Sequence, residues 1–331
     1  MAALASVSTP LGAAESAVVF LYQRFDDGAA PAASISPAQL EAHLDEIRAG
    51  DYNVASPGDV VAAFRRRDTL PERTIAITID GAHASVYTEA WPRLRKAGVP
   101  FALFVASDVV AAGRAGYMSW DQIRELTRSG VAIGSLTARQ ARLPKLVGEA
   151  KARQLSRANR RFVEELGFQP TLLAYPFGAY GLAEKRLAKE SRFIAAFGQH
   201  SGVGHPDADL YGLPRFLMNR RFGSVSRFRL AANALPLYLG DLTPVDTVLS
   251  AADNPPLFGF TLAAEQGPLD RLRCFASNRP GPARIQRLGA RRVEIRFEAP
   301  FPPGRGRINC TMPGDGGRWR WFGLQLYIPG G

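Results

Sequence analysis

A parallel (β/α) barrel of seven or eight strands, followed by a β-sandwich, is the architecture that this 331-residue sequence predicts. Three observations predict it. From residue 17 to about 236, short apolar runs alternate with amphipathic stretches of helical length, the pattern of parallel strands joined by right-handed crossovers. No strand in that series marks a topological switch, which favours a barrel over an open sheet. Beyond Leu242-Thr243-Pro244 the chain turns to short β-rich runs separated by Asn254-Pro255-Pro256, Pro280-Gly281-Pro282 and Phe301-Pro302-Pro303-Gly304. The expected division is a disordered tail or export-signal remnant over 1–16, the barrel over 17–243 and the sandwich over 244–331.

The elements follow in order. Residues 17–22 (Ala-Val-Val-Phe-Leu-Tyr) read as a buried strand. A helix then opens with Ser36 as N-cap, Pro37 in its first position and Gln39 completing a capping box. Leu40, Leu44 and Ile47 share one face, and Gly50 ends it. Further strands are expected at 53–55, 74–79, 101–105, 131–133, 171–174 and 193–197. Between them run helices carrying Tyr87, Trp91 and Leu94, a second capping box at Ser119 and Gln122, and Leu155, Phe162, Val163 and Leu166. In the sandwich, strands are expected at 257–262, 272–276, 293–297, 307–311 and 319–327.

Composition narrows the function classes. With 46% hydrophobic and 21% charged residues the chain is not broadly disordered, and no apolar run of about 18 residues predicts a transmembrane helix. Lys and Arg exceed Asp and Glu by 41 to 30, but only five of the basic residues are Lys and the Arg are spread along the chain. Arg65-Arg66-Arg67 reads as a solvated turn, and no helix-turn-helix, zinc finger or aromatic platform accompanies it, so nucleic-acid binding is disfavoured. Attraction to acidic glycans or lipid headgroups explains the charge equally well. Four histidines (His43, His83, His200, His205) leave little for a histidine-built metal centre. Cys274 and Cys310 each fall in an expected strand, either as a cross-strand disulfide in an exported protein or as two buried thiols. The small, uncharged start ending in Gly12-Ala13-Ala14-Glu15 favours an exported or periplasmic protein, with a cytoplasmic one as the alternative.

Three motifs stand where a barrel places chemistry. They are Ile77-Thr78-Ile79-Asp80-Gly81, Gly134-Ser135-Leu136-Thr137-Ala138-Arg139-Gln140, and Ala174-Tyr175-Pro176-Phe177-Gly178. With Tyr22-Gln23-Arg24-Phe25, Met118-Ser119-Trp120-Asp121-Gln122 and Leu213-Pro214-Arg215, their order and spacing resemble the polysaccharide deacetylases, including the nodulation-type chitooligosaccharide deacetylases. The tail around Asn309-Cys310-Thr311 and Trp319-Arg320-Trp321-Phe322-Gly323 looks like an accessory domain of that superfamily. The resemblance implies a distorted barrel, a divalent metal such as zinc, and hydrolysis of N-acetyl groups on amino-sugar polymers. It makes Asp80 the general base. It places Tyr175, Pro176, Phe177, Gly178 and Arg215 along the substrate groove.

The resemblance fails at the metal. The second-carboxylate position is Gly81, and the two histidine positions are Leu136 and Gln140, so all three inherited ligands are replaced and no cofactor is expected. Without a metal, the attacking water keeps its pKa of about 15.7, and a general base alone is worth about 10²–10⁴-fold. The leading expectation is therefore a pseudoenzyme that binds an N-acetylated amino-sugar glycan, alone or beside an active glycan-modifying enzyme. Competing expectations are an active hydrolase with ligands relocated to Asp80, His83 and His200, and an anionic-surface or nucleic-acid binder. His200, just beyond a strand, is also a candidate acid or sugar contact. Each residue also has a plainer reading. Asp80 accepts hydrogen bonds from loop amides, His83 faces solvent, His200 caps a strand, and His205 is exposed. Asp26-Asp27-Gly28 is a turn, and Tyr175 and Tyr180 are packing residues. Trp319, Trp321 and Tyr327 share one strand face, a sugar platform if exposed and sandwich core if buried, with core favoured.

Overall fold

The computed structural model describes residues 13–28, 30–263 and 266–330. The tail expected over 1–16 falls largely outside them, and its end, Ala13–Ala14, pairs antiparallel with Leu70–Pro71.

Seven parallel strands build the barrel: β1 (Ala17–Tyr22), β2 (Thr74–Asp80), β3 (Phe101–Val105), β4 (Ala132–Ser135), β5 (Leu172–Ala174), β6 (Ala195–Phe197) and β7 (Phe216–Leu217). Their order is β6-β5-β4-β3-β2-β1-β7, with Asn53–Val54 pairing beside the start of β2. The ring closes where Leu213 bridges Phe197: Gly198 N–H donates to Leu213 O, and Leu213 N–H donates to Ala196 O. Strand alternation sorts the side chains into two layers. Ala76, Ala102, Phe104, Leu136, Ala174 and Phe197 fill the barrel, while Ile75, Ile77, Ile79, Leu103 and Ile133 pack outward under the helices. Helix Pro37–Ala49 starts with the expected capping box, its Leu40, Leu44 and Ile47 buried, and Trp120–Arg128 starts with the second. Among the described residues no helix is long and apolar enough to cross a membrane.

Two four-stranded sheets form the sandwich. One runs β8 (Leu235–Pro236), β15 (Trp319–Ile328), β14 (Gly304–Pro313), β11 (Arg273–Ala276); the other runs β9 (Leu239–Thr243), β10 (Leu257–Leu262), β13 (Arg292–Arg296), β12 (Ile285–Leu288). Both β8 and β9 precede the expected boundary at residue 244, because the chain enters the sandwich directly from the barrel's last helix, Val225–Ala232. Cys274 and Cys310 are directly paired across β11 and β14 and joined by a disulfide.

The sandwich stands against the barrel mouth. On β14, Ile308, Cys310 and Met312 point into the sandwich core, so Arg305, Arg307 and Asn309 point out, as do Trp321, Gly323 and Gln325 on β15. That outer face meets the loops leaving β5 and β6: Gln325 Nε2 donates to Phe177 O at 2.9 Å, and a Cβ at Gly323 would run into the Ser201 carbonyl. Trp321 packs edge-on against Phe216 of β7 at 5.2 Å. The face holding Trp321 and Tyr327 is thus neither open platform nor sandwich core but the seam between the two units. Trp319, at its end, is 40% exposed.

Candidate functional site

Asp80 is the last residue of β2, and alternation turns it inward with Ala76 and Thr78. There it meets Arg215 in a two-pronged ion pair, Nη1 to Oδ1 at 2.6 Å and Nη2 to Oδ2 at 2.8 Å, with both residues buried. Arg215 Nε donates to Gly198 O at 2.9 Å and Nη1 also to Thr78 Oγ1 at 3.2 Å. The guanidinium lies against the rings of Phe104 and Phe197, 5.5 and 5.7 Å away. Gln199 adds a third donor to the carboxylate, Nε2 to Oδ2 at 3.3 Å. Asp80 therefore accepts from side chains, not from the loop amides expected of it. Arg215 is a buried clamp on Asp80 and lines no groove. Desolvated charges of this kind persist only when paired and hydrogen-bonded.

Around this pair the mouth is uneven. Phe177, in the turn after β5, is exposed with Arg142 over its ring at 4.3 Å. Gly178 is needed there, because a Cβ would stand 2.6 Å from Gln199. Tyr175, Pro176 and Gly178 are buried, and Tyr175 stacks on Tyr180 at 4.7 Å and donates its hydroxyl to Tyr211 O, so of the residues expected along the groove only Phe177 has an exposed side chain.

All four histidines are buried. His83, expected in solvent, packs on Tyr117 at 4.8 Å, and burial followed by the charge of Arg24 pushes its pKa down to about 4. His205, also expected outside, lies edge-on to Tyr238 with its pKa lowered to about 4 by burial. His200 is held to about 3 by burial, then by Lys185 and Arg215, and its Nδ1 has no partner. A neutral imidazole so far from its working range is a poor general acid near neutrality. His43 bridges Tyr22 Oη and Gly223 O at 2.9 and 3.0 Å.

The polysaccharide deacetylase family profile matches residues 67–193. YxkH of Bacillus subtilis, whose name places it among polysaccharide deacetylases, is 22% identical over 177 residues, spanning 54% of this chain and 63% of its own length. The fold resembles Streptococcus pyogenes deacetylase PplD (TM-score 0.61, 16% identity, 68% of this chain and 99% of that one). It also resembles IcaB from Ammonifex degensii (TM-score 0.58, 24% identity, 65% and 96%). The barrel thus carries a polysaccharide deacetylase match over residues 67–193 and has the fold of solved deacetylases.

The deacetylase metal does not fit the residues present. Gly81 offers no donor, and the space its side chain would need is filled by the His83 ring, whose Nε2 is 2.8 Å from a Cβ built there. Leu136 is fully buried among the apolar residues inside the barrel. Gln140 sits half-buried in a left-handed turn (φ 55°) and brings only an amide. Among the described residues no group of three His, Cys, Asp or Glu is placed to hold a metal ion, so Asp80, His83 and His200 do not assemble the relocated set.

Sequence reasoning missed the groups the sandwich brings to the barrel mouth. Arg305 Nη1 reaches Gln199 Oε1 at 3.5 Å, linking β14 to the amide that holds Asp80. Arg307, Asn309 and Trp321 join Gln199, His200 and Arg227 around one cavity. The alternation Arg305, Arg307, Asn309 was visible as a polar strand face, but nothing in the sequence said which surface it would meet.

Proposed function

We propose that this chain is a glycan-binding member of the polysaccharide deacetylase superfamily that has lost metal-dependent hydrolysis. One observation carries the reading: the His83 ring stands in the volume of the missing second carboxylate, beside Leu136 and Gln140 at the two other ligand positions. Among the described residues no three His, Cys, Asp or Glu are grouped to hold a divalent cation, and Asp80 is committed to Arg215. What remains suits binding: an exposed aromatic at Phe177, cations at Arg142 and Arg305, with a polysaccharide as the ligand class its relatives' names suggest and an N-acetylated amino-sugar glycan as the form the sequence resemblance implies. The Cys274–Cys310 disulfide fits an oxidising compartment, and with it export or a periplasmic home.

The test combines metal analysis with binding. Protein incubated with excess zinc, cobalt or nickel and then desalted is expected to retain far less than one equivalent, to release no acetate from N-acetylglucosamine oligomers, and to bind them in calorimetry. One tightly held equivalent with chelator-sensitive acetate release would overturn the reading.

A further inference from the structure

At the seam between barrel and sandwich lies a cavity of about 230 Å³ whose polar lining joins two arginines and two amides to the neutral His200 and to Ser201. Arg227 enters from the barrel's last helix, Arg307 and Asn309 from β14, Gln199 from the loop after β6, and Trp321 and Phe222 give it apolar walls. No carboxylate lines it.

Other half-buried arginines, Arg93 and Arg124 among them, are answered by acids, Glu41 and Glu89 for the first and Asp121 and Glu165 for the second. Arg227 instead lies over the rings of Trp321 and Phe216, 5.0 and 5.9 Å away, with its Nε buried and unpartnered. Desolvation lowers the pKa of both Arg227 and Arg307, the sign of cations held partly out of water without a counter-charge. Such groups are costly until an anion meets them. Trp321 Nε1 donates to Asn309 Oδ1 at 3.3 Å, which leaves the Asn309 amide NH₂ to donate elsewhere.

We propose that this cavity is a subsite for the carboxylate of an acidic sugar residue, gripped by Arg227 and Arg307 and oriented by Asn309. Guanidinium forks match a planar carboxylate two bonds at a time. The volume is below the 300 Å³ at which drug-sized sites begin and suits one sugar unit. The cavity shares Gln199 with the mouth, where the same side chain donates to Asp80, so a bound chain of sugars would run from one to the other. The inference rests on reading the protein as a glycan binder and adds the ligand's chemistry: a polymer carrying uronate units beside its amino sugars.

Calorimetry on the full chain tests it with three oligosaccharides of equal length: neutral N-acetylglucosamine units, N-acetylhexosamine alternating with uronate, and N-acetylglucosamine units carrying phosphate. The uronate oligomer is expected to bind at least tenfold more tightly than the neutral one, a difference of about 1.4 kcal/mol. Arg307→Gln and Arg227→Gln are each expected to bring that ratio close to one. Asn309→Asp, which sets a like charge beside the ligand, should do the same. Folding of each variant is checked by its thermal midpoint and near-ultraviolet spectrum, and the three variants report on the cavity independently. Equal affinity for neutral and uronate oligomers overturns the subsite while leaving the glycan-binding reading intact. So does a ratio that survives in all three variants, or a preference for phosphate over uronate. Binding of none of the three sugars overturns both.

Discussion

The imidazole of His83 occupies the room that a side chain at Gly81 would need, with its Nε2 2.8 Å from the position of a Cβ there. Gly81 also has φ of 91°, a left-handed conformation that side chains rarely adopt. Restoring a carboxylate at this position thus meets both a strained backbone and a filled volume. Gly81→Asp is expected to destabilise the protein by about 2–4 kcal/mol, the sum of one strained residue and one overpacked site. His83→Ala in the same chain removes the overpacking, so the double variant should recover about 1–2 kcal/mol relative to the sum of the single changes. Urea denaturation of the four proteins in the cycle measures this, and simple additivity would show that the ring does not fill the missing group's place.

Asp80 and Arg215 form a second coupled pair. Truncating Arg215 to Met leaves an uncompensated carboxylate with 1% exposure inside the barrel, which should cost about 3–5 kcal/mol. Asp80→Leu together with Arg215→Met replaces both charges by apolar groups among Phe104, Phe197 and Ala76, and should be markedly more stable than Arg215→Met alone. Equilibrium unfolding decides it. A double variant as unstable as the single one would mean that the pair is not what holds these strand ends together.

The parts of this fold that depend on local pattern were legible in the sequence. The capping boxes at Ser36 and Ser119, the strand ending at Asp80 and the change to β-rich chain near residue 240 are all set by residues a few positions apart. What was not legible depends on partners distant in sequence. Arg215 meets Asp80 only because the ring closes at Leu213, which turned a groove residue into a buried clamp. His83 is covered because a bridge to Tyr117 folds the loop over it, a contact no helical periodicity encodes. The Trp321 face had the right period, but the surface it meets is set by how two units dock, and neither exposure nor sandwich core described it.

Cys274 and Cys310 sit opposite each other in the sandwich, 36 residues apart and both fully buried. Closing a loop of that length is worth about 3–4 kcal/mol through the unfolded chain. A Cys274→Ala, Cys310→Ala variant is expected to lose about that much, and reducing agent should lower the thermal midpoint of the parent while leaving the variant unchanged. Free-thiol titration of the unfolded, non-reduced parent should find no reactive cysteine. Two thiols per chain would contradict the bond.

Acid should weaken the protein through its histidines. His43, His83 and His205 have pKa values lowered to about 4, and His200 to about 3, all mainly by burial, against 6.5 in an unfolded chain. Below pH 6.5 the unfolded state therefore binds more protons than the folded one. Stability stays level above that pH, falls as pH drops through it, and flattens only near pH 3–4. Each buried histidine contributes a slope of up to about 1.4 kcal/mol per pH unit in that window. His205 is the cleanest probe, because its ring lies edge-on to Tyr238, its Nδ1 has no partner and it stands outside the Asp80 network. His205→Phe keeps an aromatic ring there and cannot take up a proton. Between pH 7.5 and pH 5 the variant should lose about 2 kcal/mol less than the parent, a difference set by one and a half pH units of that slope. Urea titrations at the two pH values give the answer directly, and parallel losses in both proteins would show that the His205 ring is not held neutral by the fold.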